Sequence, residues 1–172
     1  MTEFEPFLNR DEIHRLVADI ADRISSDYKN NDLVLIGVLK GSFIFLSDLV
    51  RQLTIQAEID FVGASSYGAD AQSSENIRLT KPLQIDIRDK RIIIIEDIVD
   101  TGLTLAYLID YIESFKPSNL KICALLDKRE RRQVDLEIDY VGKIVEKGFL
   151  VGYGLDYAER YRNLPELYCL KF

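Results

Sequence analysis

Residues Ile92–Leu105 read IIIIEDIVDTGLTL, an apolar run that passes straight into acidic side chains and then into a glycine-led helix start. Four consecutive isoleucines, Ile92 to Ile95, are β-branched and apolar on both alternating faces, the pattern of a strand buried on both sides of a parallel sheet. Such strands present their C-terminal ends to ligands. Glu96 and Asp97 fall at that end, where carboxylates accept hydrogen bonds from vicinal ribose hydroxyls. Asp100, Thr101, Gly102 and Thr104 follow, and Gly102 lets the backbone turn where other residues resist. Leu103, Ala106, Leu108, Ile109 and Ile112 then recur at helical spacing, so the free N–H groups and positive dipole end of this helix make a phosphate site. Capping one helix does not call for three carboxylates between Glu96 and Asp100. Together with T-G-x-T they read as a sugar-phosphate cradle.

The 172 residues fit one domain, residues 1–172, and a chain of this size buries roughly 70% of its unfolded surface. Lys+Arg 22 against Asp+Glu 29 leaves a net charge of −7, which disfavours a general nucleic-acid or anionic-membrane surface. There is no apolar run of about 18 residues to span a bilayer. The opening MTEFEPFLNR has no signal-peptide core, so a cytoplasmic protein is expected. Cys123 and Cys169 sit in the apolar strand-like runs LKICALLD and ELYCLKF, with no CxxC pair. They read as small buried hydrophobes rather than disulfide partners, metal ligands or nucleophiles. The single histidine, His14, falls on the solvent face of a predicted surface helix.

That first helix is capped by Asn9, carries Asp11 and Glu12 in its first turn, and places Ile13, Leu16, Val17, Ile20 and Ile24 on one side. DLVLIGVL, Asp32 to Leu39, is a short buried strand; KGSFIFLSDLVRQL turns into a helix; QAEIDFVGASSY alternates as a strand. Repeated strand-helix-strand steps define an α/β fold. Between Ser65 and Pro82 the residues from Gly68 to Asn76 offer no apolar face, and a mobile loop of active-site-lid character is expected. SNLKICALLDK, IDYVGKIVE, GFLVGYGLDY and ELYCLKF supply further strands.

Other residues gather round this frame. Leu39 to Ser42 link a strand end to a helix start, offering backbone donors and the Lys40 ammonium to an anion. GVLKGS is not a nucleotide-hydrolase loop, because its lysine precedes the second glycine, and GYG at Gly152–Gly154 lacks the third glycine of a dinucleotide site. Lys128 ends a strand as Asp97 does, while Arg129 to Arg132 read as a solvated turn. Phe149 offers a stacking face, Asp156 a carboxylate for a hard cation, and Arg162 a bidentate grip on phosphate.

GVLKGSFIFLSDL, SSYG, IIIIEDIVDTGLTL, ALLDK and FLVGYGLDYAERYRNL, in that order, resemble the type I phosphoribosyltransferases, most closely the bacterial hypoxanthine-guanine class. The resemblance implies a central, mainly parallel sheet flanked by helices, a small hood formed by the terminal segments, and a mobile active-site loop. It implies transfer of a 5-phosphoribosyl group from phosphoribosyl pyrophosphate to N9 of a 6-oxopurine, hypoxanthine or guanine, with Mg²⁺, in a homodimer or homotetramer. Glu96 and Asp97 would engage the ribose hydroxyls, and Asp100, Thr101, Gly102, Leu103 and Thr104 would cradle the 5-phosphate. Asp100 resembles the family's acid/base at purine N7. Lys128 would bond the 6-oxo group, Phe149 would stack on the base, and main-chain groups near Leu150 and Asp156 would read its 2-position. Lys40, Gly41 and Arg162 would bind pyrophosphate across a cis Leu39–Lys40 peptide. Glu96, Asp97 and Asp156 would hold Mg²⁺, and Ser66 and Tyr67 belong to the lid. Where many relatives carry a KDLD-like segment this chain has KPLQID. Two other readings stay open: a xanthine-preferring or guanine-only transferase, and an RNA-binding regulator on the same fold using a patch around Lys128 to Arg132.

Overall fold

A computed structural model describes residues 3–29, 32–66 and 77–171. Six strands form the main sheet in the order β4-β3-β2-β5-β6-β7. They are β2 (Leu33–Leu39), β3 (Glu58–Ser66), β4 (Ile77–Lys81), β5 (Arg91–Val99), β6 (Asn119–Lys128) and β7 (Tyr140–Val145). All neighbours run parallel except β3 and β4. The isoleucine run is central, and alternation divides it between two cores. Ile93 and Ile95 join Leu35, Phe45 and Leu49 under α1 (Arg10–Asp27) and α2 (Phe43–Gln52). Ile92 and Ile94 join Val34, Ile36, Leu105 and Leu108 under α3 (Leu103–Glu113). Each of these four isoleucines is wholly buried, so the strand is apolar on both sides because both sides are covered.

The helices begin as the sequence predicts. Asn9 and Glu12 close a reciprocal capping box on α1, the side chain of each accepting from the other's backbone N–H at 2.9 and 2.8 Å. His14 is exposed on this helix. Ahead of α3 stands Gly102 at φ 84, in left-handed backbone, with no side-chain cap on the helix. Of the first-turn amides of α3, that of Leu103 donates at 3.4 Å to Thr101 Oγ1, a long bond that a ligand can displace.

A second, three-stranded antiparallel sheet of order β1-β9-β8 forms the hood from β1 (Glu3–Leu8), β8 (Phe149–Val151) and β9 (Leu167–Lys171). Residue patterning missed β1, whose first four residues are exposed and whose partner lies at the opposite end of the chain. GFLVGYGLDY is a strand for only three residues, since Gly152, Tyr153 and Gly154 take φ of 98, 48 and 101 and turn the chain away. Cys123 is buried in β6, where burial pushes its thiol up, while Cys169 is only partly buried; both are free thiols. No described helix is long and apolar enough to cross a membrane.

The segment expected to be irregular divides. Ser66 ends β3 paired with Ile77 of β4, whereas Tyr67 and the rest of the expected lid lie outside the described residues. Behind β4 the KPLQID departure has a physical anchor in Asp60, only 5% exposed. Its carboxylate accepts from the amides of Phe61 at 2.7 Å, Gln84 at 2.6 Å and Ile85 at 3.3 Å, and from Lys81 Nζ at 3.2 Å. Burial pushes Asp60 up, but the Gln84 and Phe61 amides, Lys81 and the Ile85 amide together hold it below its ordinary 3.8. That stabilisation is present above the unfolded value and disappears as pH falls through the lower folded value. Asp60→Asn is expected to lower unfolding free energy by about 1–3 kcal/mol at pH 7. Urea melts should show the difference shrinking below the unperturbed 3.8.

Candidate active site

Parallel pairing brings the C-terminal ends of β2, β5 and β6 to one edge of the sheet. Glu96 lies beside Ala124, Val99 beside Asp127, and Lys128 beside Val145. Lys40 and Gly41 leave β2, the Asp100–Thr104 turn leaves β5, and β7 leads through Gly148 to Phe149. Two larger hollows lie between α1, α2 and the segment from Tyr153 to Pro165, about 450 Å³, and by Tyr28, Leu33 and Thr54 to Glu58, about 610 Å³. Charged groups with buried, unpartnered atoms, Glu96 and Asp100, gather at the strand ends instead.

Asp97 is buried, and Glu96, partly buried as a residue, has its Oε2 fully buried with no hydrogen-bond partner. Burial pushes Glu96 well above its ordinary value, and the neighbouring Asp97 charge adds to this. Burial likewise pushes Asp97 up to about 6, against the lowering effect of the Ile98 amide, its own amide and Arg162, with Asp156 raising it further. Such a pair is short of cations and donors, which is the demand a ribose diol and a divalent ion would meet. Among the described residues no three acidic, histidine or cysteine side chains converge into a cation cage. Mg²⁺ does not need one, because it is commonly held by one or two carboxylates with the rest of its shell from water and substrate phosphates.

Next to these acids, Thr101, Gly102 and Thr104 line a small hollow of about 140 Å³ together with Glu96 and Asp100. Asp100 Oδ1 is buried with no hydrogen-bond partner, and Oδ2 lies 3.8 Å from Lys128 Nζ. Lys128 is itself buried, with Glu130 on its other side at 3.7 Å. Phe149 is exposed at the start of β8, its ring edge-on to Tyr157 at 5.4 Å between centroids, and the following Leu150 is buried.

Across the cleft, the Leu39–Lys40 peptide is cis, and Gly41 is pressed so close to Asp97 that a Cβ there would meet its Oδ2 at 2.0 Å. Gly154 sits equally close to the other side of this loop, where a Cβ would lie 2.1 Å from the Gly41 carbonyl oxygen. The two glycines thus allow the Lys40 and Gly41 loop to be sandwiched between the acidic strand end and the hood turn. Arg162 pairs with Asp156 at 2.8 Å and donates to the Gly154 carbonyl at 2.9 Å, while its Nε remains buried and unpartnered. Lys40 is held by Glu159 at 2.8 Å.

Three contributors escaped the sequence reading. Tyr153 donates its hydroxyl to Asp48 of α2 at 2.7 Å, tying the hood turn to the helix behind Gly41. Glu159 touches both Lys40 and Arg162. Arg132, read as part of a solvated turn, has a side chain only 17% exposed and is bonded to the buried Asp127. Arg129 also pairs with Asp127 and Arg131 with Asp100, so the basic run is matched by carboxylates rather than presented as a bare patch. Positive residues close together in sequence gave no sign that β6 ends in a buried acid facing them.

The raised Asp97 has a consequence for stability. Its ionisation opposes folding fully above about pH 6 and not at all below the unfolded 3.8. Asp97→Asn is therefore expected to stabilise the free protein at neutral pH by on the order of 1–3 kcal/mol. Denaturant melts should show this gain fading as pH falls through 6.

A model of the phosphoribosyl transferase domain matches residues 7–158. A hypoxanthine-guanine phosphoribosyltransferase of Aquifex aeolicus is 46% identical over 165 residues, 95% of this chain and 93% of that relative. Among solved structures, a hypoxanthine-guanine phosphoribosyltransferase of Bacillus anthracis superposes with a TM-score of 0.93 at 39% identity, covering 100% of both chains. A Trypanosoma cruzi hypoxanthine phosphoribosyltransferase, whose C-terminal region was studied for its role in oligomeric state and activity, gives 0.92 at 39% over 98% of this chain and 93% of that one. With the domain match spanning most of the sequence and relatives this similar along their whole lengths, the chain belongs to the type I phosphoribosyltransferases, in their hypoxanthine-guanine branch.

Proposed function

We propose that this chain is a single-domain purine-salvage enzyme that transfers 5-phosphoribosyl from phosphoribosyl pyrophosphate to N9 of hypoxanthine or guanine, releasing pyrophosphate with IMP or GMP. The observation that carries the reading is the partnerless Asp100 Oδ1 standing between an uncapped helix start and a buried Lys128 whose Nζ is 3.8 Å from Oδ2. A phosphate on the α3 amides and a base carbonyl on Lys128 leave Asp100 facing the purine edge between them.

As N9 bonds to the anomeric carbon, the bond from that carbon to the pyrophosphate oxygen breaks. Positive charge grows on the ribose and negative charge on the leaving group. Glu96 and Asp97 accept the ribose hydroxyls and stabilise the positive ring. Asp100 Oδ1 takes the proton that the base sheds at N7, a transfer that needs an acceptor with no prior bond. Lys40, the Gly41 backbone and Arg162 receive the pyrophosphate, for which Arg162 Nε already offers an unused donor. Glu96, Asp97 and Asp156 would hold Mg²⁺ together with substrate oxygens, and the ion would neutralise the departing pyrophosphate. Lys128 donates to the 6-oxo group and meets no acceptor on a 6-amino purine, which sets the base class. Phe149 stacks on the base, and the Leu150 and Asp156 main chain reads its 2-position. Closure of Ser66 and Tyr67 over the site would exclude water that intercepts the ribosyl cation.

The relatives' names support this reading over a xanthine-preferring, guanine-only or RNA-regulatory one, for which no observation stands. A cytoplasmic homodimer or homotetramer fits the acidic composition and the attention given to oligomeric state in the Trypanosoma relative.

Purified protein incubated with phosphoribosyl pyrophosphate and Mg²⁺ should form nucleotide from hypoxanthine and guanine and none from adenine. Failure with every 6-oxopurine would overturn the reading. In the same assay Asp100→Ala should lower kcat by about 10²- to 10³-fold, with the KM for phosphoribosyl pyrophosphate within about threefold of wild type. Near-normal turnover would remove the proton-acceptor role.

A further inference from the structure

Arg132 stands at the back of the donor loop and makes more directed bonds than any single function at the protein surface requires. Its Nε–H donates to the Asp100 carbonyl at 2.9 Å, and its NH2 group donates to the Val99 carbonyl at 3.0 Å, the Lys128 carbonyl at 3.2 Å and the Asp127 carboxylate. The three carbonyls belong to the last turn of β5 and the last residue of β6, the two segments that carry the proton acceptor and the base-reading lysine. The backbone beyond Arg132 continues the clasp: the amides of Gln133 and Val134 both donate to the Thr101 carbonyl, at 2.9 and 3.3 Å. Gly102 packs against the same segment, where an added Cβ would lie 3.1 Å from Leu136, 3.4 Å from Arg132 Cδ and 3.4 Å from the Val134 carbonyl oxygen.

We propose that Arg132 is a positioning residue of the transfer reaction, a planar fork that fixes Asp100 relative to Lys128 so that the proton acceptor and the 6-oxo donor meet one base in one orientation. This inference rests on the transferase reading above and deepens it.

Three features support the fork over a simple ion pair. Asp127 is already paired by Arg129 at 2.9 Å, so its charge does not depend on Arg132 alone. Val99 and Asp127 are the last paired residues between β5 and β6 and Asp100 lies beyond them, and a rigid guanidinium reaches the Val99 and Asp100 carbonyls together where a lysine ammonium would reach fewer. The separation it sets is chemically relevant. At 3.8 Å, Lys128 Nζ and Asp100 Oδ2 are close enough to interact but too far apart for a committed hydrogen bond, leaving both available to the purine.

A double-mutant cycle on the full-length protein tests this. Arg132→Lys keeps a cation beside Asp127 but loses the fork, and it should lower kcat on the order of tenfold and raise the KM for hypoxanthine. In an Asp100→Ala background the same substitution should change kcat by less than about twofold, because the group it positions is gone. Should Arg132→Lys fail to fold, Asp127→Asn with Arg132→Gln removes the ion pair as a unit and enters the same cycle. Equal kcat losses in both backgrounds would show a merely structural role and overturn the proposal, as would an unchanged kcat in Arg132→Lys alone. A wild-type chain that forms no nucleotide overturns the transferase reading itself, and the positioning role with it.

Discussion

Two adjacent carboxylates at a dry strand end cannot both ionise comfortably without a cation, and the rest of this molecule is arranged around that constraint. Glu96 and Asp97 lie near the C-terminal end of β5, a strand covered on both faces, with Arg162 as the cation acting on Asp97 and none among the principal influences on Glu96. An unpaired buried acid costs several kcal/mol, so such a pair is retained where a ligand completes it. A ribose diol with a divalent ion would meet that need, and in the transfer proposed above the same acids would serve the ribosyl cation. Stability is given up in the free protein for charge complementarity in the complex.

Holding the acids in place requires close backbone approaches. Gly41 lies against Asp97 and Gly154 against Gly41, so the Lys40 and Gly41 loop is fixed from two sides. The Tyr153–Asp48 bond ties the hood turn to α2, and the Arg132 fork with the Gln133 and Val134 amides holds the Asp100 and Thr101 carbonyls. The cleft is thus built from three strand ends and one returning terminal segment. Its hood is the β1-β9-β8 sheet, which joins the two terminal segments of the chain.

Legibility in the sequence followed the range of the interaction. The isoleucine strand, the Asn9 capping box and the glycine before α3 depend on neighbours a few residues apart, and each stands where its pattern places it. Glu96, Asp97 and Asp100 were readable for the same reason. Lys128, Phe149, Asp156 and Arg162 entered through the family resemblance, because nothing local in the sequence sets Lys128 apart from a surface lysine. Arg132 and β1 went unread: a fork onto carbonyls more than thirty positions away, and a charged strand paired across the whole chain, leave no periodic trace. Asp60 went unread likewise, since its partners Gln84 and Ile85 are joined to it only by the fold.

Proton counting tests the role of the acidic pair most directly. Calorimetric titration of phosphoribosyl pyrophosphate with Mg²⁺ into the protein near pH 6, repeated in buffers of different ionisation enthalpy, gives the protons exchanged per site. Because Asp97 titrates near 6 in the free protein and Glu96 well above its ordinary value, binding that recruits both carboxylates should release protons, and Asp97→Asn should release fewer. Proton uptake, or binding with no exchange, would contradict a ribose and metal site at Glu96 and Asp97.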